Sequence, residues 1–178
     1  MTLLSIWSNL SYIYLCQGDV QAALENAEKV LQSNANLTPP GYKFLAHLYA
    51  AEAHMRLGHS NDALVLLDPK KVPSFSDVSF SDLPVVTPNE GDPSSPNEQQ
   101  FIAKVMFQIN LAVAYINREE IDRAEDILER VALLAPPPHE LSYKILSLRL
   151  YLCLSKGNVE KARETATKYF EDKLKEIQ

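Results

Sequence analysis

The 178-residue chain has few cysteines, few glycines and little basic charge, and each shortage argues against a class of protein. Two cysteines, Cys16 and Cys153, cannot build a framework of several disulfides, and their apolar neighbours favour buried thiols in a reducing compartment. Five glycines, spread singly, exclude a glycine-rich phosphate loop. The net charge is −6, and Lys70 and Lys71 are the only adjacent basic pair, so nucleic-acid binding through bulk charge is disfavoured.

Long apolar runs are also missing. No window approaches the length that a membrane span needs, so we expect no membrane association. The apolar start of the chain lacks the basic residues of a signal peptide, because the first cationic residue is Lys29. A hydrophobic content of 46% is ordinary for a globular protein. These features indicate a soluble, intracellular protein; the cytoplasm is its expected location, and the nucleus is an additional one.

No pattern of catalytic or metal-binding residues stands out. His47 and His54 lie seven residues apart on one predicted helix, about 10.5 Å along its axis, so they cannot share a metal ion. His59 falls in a turn and is expected to be exposed, and His139 has no partner in the sequence. Neither cysteine has a histidine nearby in sequence that could act as its base. The sequence thus predicts no catalytic residue, no cofactor, no metal and no enzyme activity.

A short pattern recurs along the chain. A glycine is followed five residues later by an alanine at Gly18–Ala23, Gly58–Ala63 and Gly157–Ala162, and residues 119–124 repeat the pattern without the glycine. The glycine permits the positive φ that ends a helix, and the alanine permits two helices to cross closely. The pattern predicts an all-α fold of four helical hairpins, with helices at 3–17, 20–33, 41–57, 60–68, 98–117, 120–134, 138–156 and 159–176.

The first hairpin shows apolar residues at helical spacing. On its second helix these are Val20, Ala23, Leu24, Ala27, Val30 and Leu31. On its first helix they are Leu3, Ile6, Trp7, Leu10 and Tyr14. Both stripes are expected to face the core.

Residues 68–97 interrupt the repeats. They hold six of the eleven prolines and show no helical period, which predicts a flexible inserted loop. An alternative remains open, because apolar residues between Phe75 and Val86 could pack along the helices as an extended strap or bind a partner.

The repeats resemble the tetratricopeptide repeat (TPR). In that register the third copy matches best, with Leu111, Ala112, Tyr115, Ala124, Leu128, Val131 and Pro136. The resemblance implies a right-handed α-solenoid of about four TPR-like hairpins in a single domain, 1–178. In TPR arrays the first helices line a groove that binds protein. The groove positions in this chain are Ser8, Tyr12, Leu48, Glu52, Ile109, Val113, Ser147 and Tyr151.

These groove positions are hydroxylic, apolar or acidic. Glu52 would repel the terminal carboxylate that TPR co-chaperones bind. A helix or a neighbouring subunit is therefore the expected occupant.

Two stretches, Leu3–Asp19 and Lys43–Ala53, are similar to the C-terminal TPR region of the subunit-ten family of the CCR-NOT mRNA deadenylase complex. The resemblance implies a C-terminal fragment of a longer solenoid, acting as a non-catalytic scaffold in mRNA decay and translational repression. Its implied partners are another accessory subunit and the large scaffold of the complex. Two alternatives remain: a TPR module of an unrelated assembly that binds peptides or subunits, and an RNA-binding helical array.

Overall fold

In a computed structural model, residues 2–34, 38–72, 96–133 and 139–177 are described. They form eight α-helices and, within these ranges, no strand. The helices are α1 (Leu3–Gln17), α2 (Val20–Leu31), α3 (Pro40–Arg56), α4 (Ser60–Leu66), α5 (Pro96–Ile116), α6 (Ile121–Ala132), α7 (His139–Ser155) and α8 (Val159–Ile177).

Consecutive helices pair as four hairpins: α1 with α2, α3 with α4, α5 with α6, and α7 with α8. The first helices of the hairpins also contact each other in a row, α1 on α3, α3 on α5, and α5 on α7. Each second helix packs on the first helix of the next hairpin. The predicted all-α repeat of four hairpins is confirmed, with α2 and α4 each two residues shorter than expected and α6 three residues shorter. The right-handed sense of the solenoid stays a prediction.

The turns inside the hairpins share one backbone geometry. Gly18, Gly58 and Gly157 take positive φ values of 82°, 81° and 70°, as the repeat predicted. Glu119 occupies the equivalent place in the third hairpin with a φ of 62°, although it is not a glycine. In each of the last three turns, the amide of the next residue donates to a carbonyl five residues back, as in a Schellman motif.

The alanine of each repeat lies where the two helices cross. Ala23, Ala63 and Ala124 are fully buried, and Ala162 is nearly so. In the first hairpin the buried hydroxyl of Ser11 donates to the carbonyl oxygen of Ala23 at 2.8 Å, a direct link between the two helices. The predicted close crossing at these positions is confirmed, because a larger side chain would have no space there.

The predicted core stripe of α1 is wrong in part. Leu3 is 64% exposed and Ile6 also faces solvent, whereas Trp7, Leu10 and Tyr14 are half-buried. The buried face of α1 consists instead of three serines and a leucine: Ser5, Ser8, Ser11 and Leu15. Small hydroxyl side chains permit close approach to α2 and can bond backbone carbonyls, so they replace the larger apolar residues that the pattern favoured.

Two apolar cores run through the array. The first joins α1 to α4, and Ala103 and Phe107 of α5 also belong to it. The second joins α5, α6 and α7 around residues such as Val105 and Leu128. Phe44 and Phe107, with ring centroids 6.4 Å apart, connect the second and third hairpins. Because α5 serves both cores, the four hairpins share a continuous interior.

The ends of the predicted insertion are ordered. Residues 68–72 form a turn in which Val72 is buried in the first core, and α5 begins at Pro96. The segment between these elements is therefore shorter than 68–97. Residues 73–95, with the apolar stretch from Phe75 to Val86, lie outside the described residues.

Candidate protein-binding surface

The eight predicted groove residues lie on the four first helices, which contact each other in a row. Not all of these residues are at the surface. Ser8, Leu48 and Ile109 are buried. Leu48 belongs to the first core and Ile109 to the second, and Ser8 lies on the same side of α1 as Ser11. These three residues face the interior, so direct contact of their side chains with a partner would require the helices to separate.

The other five predicted residues reach solvent. Tyr12, Ser147 and Tyr151 are exposed, and Glu52 and Val113 are partly exposed. They lie on α1, α3, α5 and α7, so every first helix contributes at least one. The accessible surface on these helices, which we call the first-helix face, is defined by these five residues.

Glu52 is not a free charge on the first-helix face. Arg56, one helical turn later, forms an ion pair with it, and Arg56 Nη1 also donates to the carbonyl oxygen of Leu15 at 2.6 Å. The same arginine thus screens Glu52 and binds the end of α1. Repulsion of a ligand carboxylate by Glu52 is weaker here than the sequence suggested.

Aromatic side chains line part of the first-helix face. The ring of Tyr12 contacts the ring of Tyr49, with centroids 5.9 Å apart. Burial raises the pKa of the Tyr49 hydroxyl above its ordinary value, so it stays protonated at neutral pH. The buried ring of Tyr49 thus supports the exposed ring of Tyr12, which offers contact area at a low cost in side-chain entropy.

Sequence reasoning missed two further exposed apolar residues on α7. Tyr143 and Leu154 lie on the same helix as Tyr151, and all three are more than half exposed. The ring of Tyr143 is held against Tyr169 of α8, with centroids 5.7 Å apart. Leucines recur at every second position from Leu146 to Leu154, so no single helical face stood out in the sequence.

A charged cluster connects the third and fourth hairpins. Lys161 donates to Glu125 at 2.7 Å, and Lys156 binds both Glu125 and Asp122. Hydrogen bonds from Lys156 and Lys161 lower the pKa of the Glu125 carboxyl below its ordinary value. The basic residues of this region are thus paired with acids, which leaves less positive charge for a phosphate backbone.

The histidines divide between two environments. Nδ1 of His47 lies 3.0 Å from the carbonyl oxygen of Leu66, and burial lowers the pKa of this imidazole. His54 lies beside His59, with ring centroids 5.9 Å apart, and Asp62 is close to both. His59 is exposed, as expected.

Across the described ranges, none of the helices combines the length and the apolar character that a bilayer crossing requires.

Comparison with known proteins decides the family. Residues 2–160 match the CNOT10 tetratricopeptide repeat domain. The chain belongs to this family. The resemblance noted at Leu3–Asp19 and Lys43–Ala53 is therefore confirmed.

Curated relatives agree with the family match. The chain is 33% identical over 176 residues to CCR4-NOT transcription complex subunit 10-B of Xenopus laevis, covering 89% of the chain and 22% of the relative. It is 32% identical over 169 residues to CCR4-NOT transcription complex subunit 10 of Danio rerio, covering 89% and 27%. The Drosophila melanogaster protein of that name is 30% identical over 156 residues, covering 87% and 22%. The chain thus spans about a quarter of these relatives, or less.

Proposed function

We propose that this protein is a non-catalytic accessory subunit of the CCR4-NOT complex, where it acts as a protein-interaction scaffold in mRNA decay and translational repression. The observation that carries the proposal is the family match, which extends from the first hairpin into the fourth. The expected location is the cytoplasm, with a second population in the nucleus.

The shape of the repeats supports a scaffold role. Contacts between successive first helices hold residues from four hairpins on one extended face. Extended faces of this kind are what helical repeat proteins use to bind protein partners. The accessible part of the face includes Tyr12 and Tyr151, and tyrosine is enriched at protein interfaces.

The partners proposed for this surface are protein subunits of the complex, namely another accessory subunit and the large scaffold. Exposed tyrosine, valine and serine suit the apolar side of a partner helix better than a charged peptide end. Direct RNA binding is disfavoured, since the net charge is −6 and both Lys156 and Lys161 are committed to ion pairs.

An affinity purification tests the proposal. The chain is used as bait in cell lysate treated with RNase, and bound proteins are quantified by mass spectrometry. We expect deadenylase-complex subunits to be enriched, and this enrichment to remain after RNase treatment. If the chain instead recovers RNA-binding proteins that are lost after RNase treatment, an RNA-binding helical array is favoured. If it recovers an unrelated set of subunits, a TPR module of another assembly is favoured.

A further inference from the structure

Three potential metal ligands converge at the turn between α3 and α4. His54 lies in the last turn of α3, His59 immediately precedes α4, and Asp62 lies in the first turn of α4. One ligand atom from each residue can be chosen so that all of them lie within 4.8 Å of one another. The two imidazoles are not on one helix face, so their proximity depends on the turn.

The backbone of the turn fixes this arrangement. Gly58 has a φ of 81°, and the amide of His59 donates to the carbonyl oxygen of His54 at 2.8 Å. The amide of Asp62 in turn donates to the carbonyl oxygen of His59 at 3.1 Å. Two hydrogen bonds thus link the three ligand-bearing residues, and the spacing of their Cα atoms is built into the hairpin.

We propose that these three side chains bind one Zn²⁺ ion, with water in the fourth position. Two imidazoles and a carboxylate form a donor set that zinc accepts. Zinc–ligand bonds of about 2.0–2.2 Å place the ligand atoms of a tetrahedral site roughly 3.3–3.6 Å apart. Ligand atoms now up to 4.8 Å apart must therefore move closer. The exposed side chains of His59 and Asp62 can make this movement while half-buried His54 stays in place.

A second observation supports His54 as a metal ligand. Its Nδ1 atom is buried and has no hydrogen-bond partner within the part of the chain that the structure describes. A buried polar atom without a partner is costly. An ion bound at Nδ1 of His54 would give this nitrogen a partner. An ion bound at the other ring nitrogen, Nε2, would keep the proton on Nδ1.

The site opens on a cleft between α2, α3 and α4. The cleft has a volume of about 360 Å³, and His54 and Asp62 are among its lining residues. Glu28 of α2 lines the same cleft and adds a negative charge near the ion. A bound ion would brace the second hairpin, whose helix α4 is only seven residues long.

Isothermal titration of untagged protein with zinc chloride at pH 7.5 tests the proposal. We expect one ion per chain, at least a tenfold loss of affinity in Asp62→Asn, and loss of binding in His54→Ala/His59→Ala. The matched controls are His139→Ala, which removes a histidine of another hairpin, and Cys16→Ser, which removes an exposed thiol; both should bind as the parent does.

Several outcomes would overturn the site. They are no heat of binding, binding unchanged in the double histidine variant, or binding abolished by Cys16→Ser. His59→Ala alone separates binding from folding, since His59 is exposed and its removal should leave the circular dichroism spectrum unchanged. In that variant the zinc-induced rise in Tm should disappear; a rise that persists contradicts the proposal.

Discussion

The turn of the third hairpin offers a mutation that should stabilise the protein. Glu119 has a φ of 62°, where the equivalent residues of the other hairpins are glycines. This left-handed conformation costs an L-residue about 1–2 kcal/mol, and glycine avoids that cost. Glycine also makes the unfolded chain more flexible, which lowers the free energy of unfolding by about 0.5–1 kcal/mol. Glu119→Gly should therefore raise the free energy of unfolding by about 0.5–1 kcal/mol.

For a chain of this length the gain corresponds to a rise in Tm of roughly 1–4 °C, measurable by calorimetry. Glu119→Ala is the first control, because it removes the side chain but keeps the strained backbone, and it should show no such rise. Gly157→Ala is the reverse control. Its Cβ would meet no atom within 4 Å, so the expected fall in Tm reports backbone strain alone. A fall in Tm in Gly157→Ala with no rise in Glu119→Gly would show that the left-handed conformation of Glu119 does not cost stability.

Three other perturbations test the packing and the charges. Ala124→Leu should lower the free energy of unfolding by about 1–3 kcal/mol, because Ala124 is fully buried at a helix crossing; denaturant unfolding at an unchanged midpoint would contradict the close crossing. The lowered pKa of His47 means that the folded state resists its protonation, so stability should be complete above pH 6.5 and decrease as the pH falls below it. Tm values at pH 7.5 and 5.5 should therefore differ more in the parent than in His47→Gln, and an equal difference would count against this assignment. Glu125→Gln should lower Tm by no more than a few degrees, and less in 1 M salt, because it removes exposed ion pairs to Lys156 and Lys161. Since the pKa of Glu125 is lowered, the stabilisation by these pairs should be present above about pH 4.5 and be lost on further acidification; a Tm difference that persists at pH 2 would contradict it.

The hairpins were predictable because their signals are local. The spacing from Gly18 to Ala23 reports a turn and a crossing within a few residues, and the same holds at Gly58 and Gly157. The third hairpin could be recognised without its glycine because Ala124 and the flanking apolar periods remained. The end of α4 was less predictable, because residues 68–72 form a separate helix-like turn in which the amides of Lys71 and Val72 donate to the carbonyl oxygen of Asp68.

The exposed surface was less predictable because burial depends on the neighbouring hairpins. The apolar residues of α1 suggested a core stripe, yet close packing against α2 selects serines such as Ser11. Leu48 and Ile109 occupy groove positions of the general repeat, but here they are buried in the first and the second core. Sequence spacing gives a helix face, whereas the packing angle between helices decides how much of that face is exposed.

The histidines show the same limit. Spacing along one helix argued against a metal ion shared by His47 and His54. It could not reveal that the turn brings His59 and Asp62 towards His54, because ligands on two helices depend on the geometry of the residues between them. The glycine at position 58 was visible in the sequence, and it was the signal that could have indicated this convergence.

The central claim is that protein subunits bind the first-helix face, and site-specific photo-crosslinking tests it most directly. A photoreactive phenylalanine analogue at Tyr151 of α7 is compared with the same analogue at Phe170 of α8, since the two side chains are 52% and 56% exposed. In lysate containing the CCR4-NOT complex, we expect crosslinks to subunits of that complex from position 151 and few from position 170. Equal crosslinking from both positions, or crosslinks from position 151 to RNA alone, would contradict it.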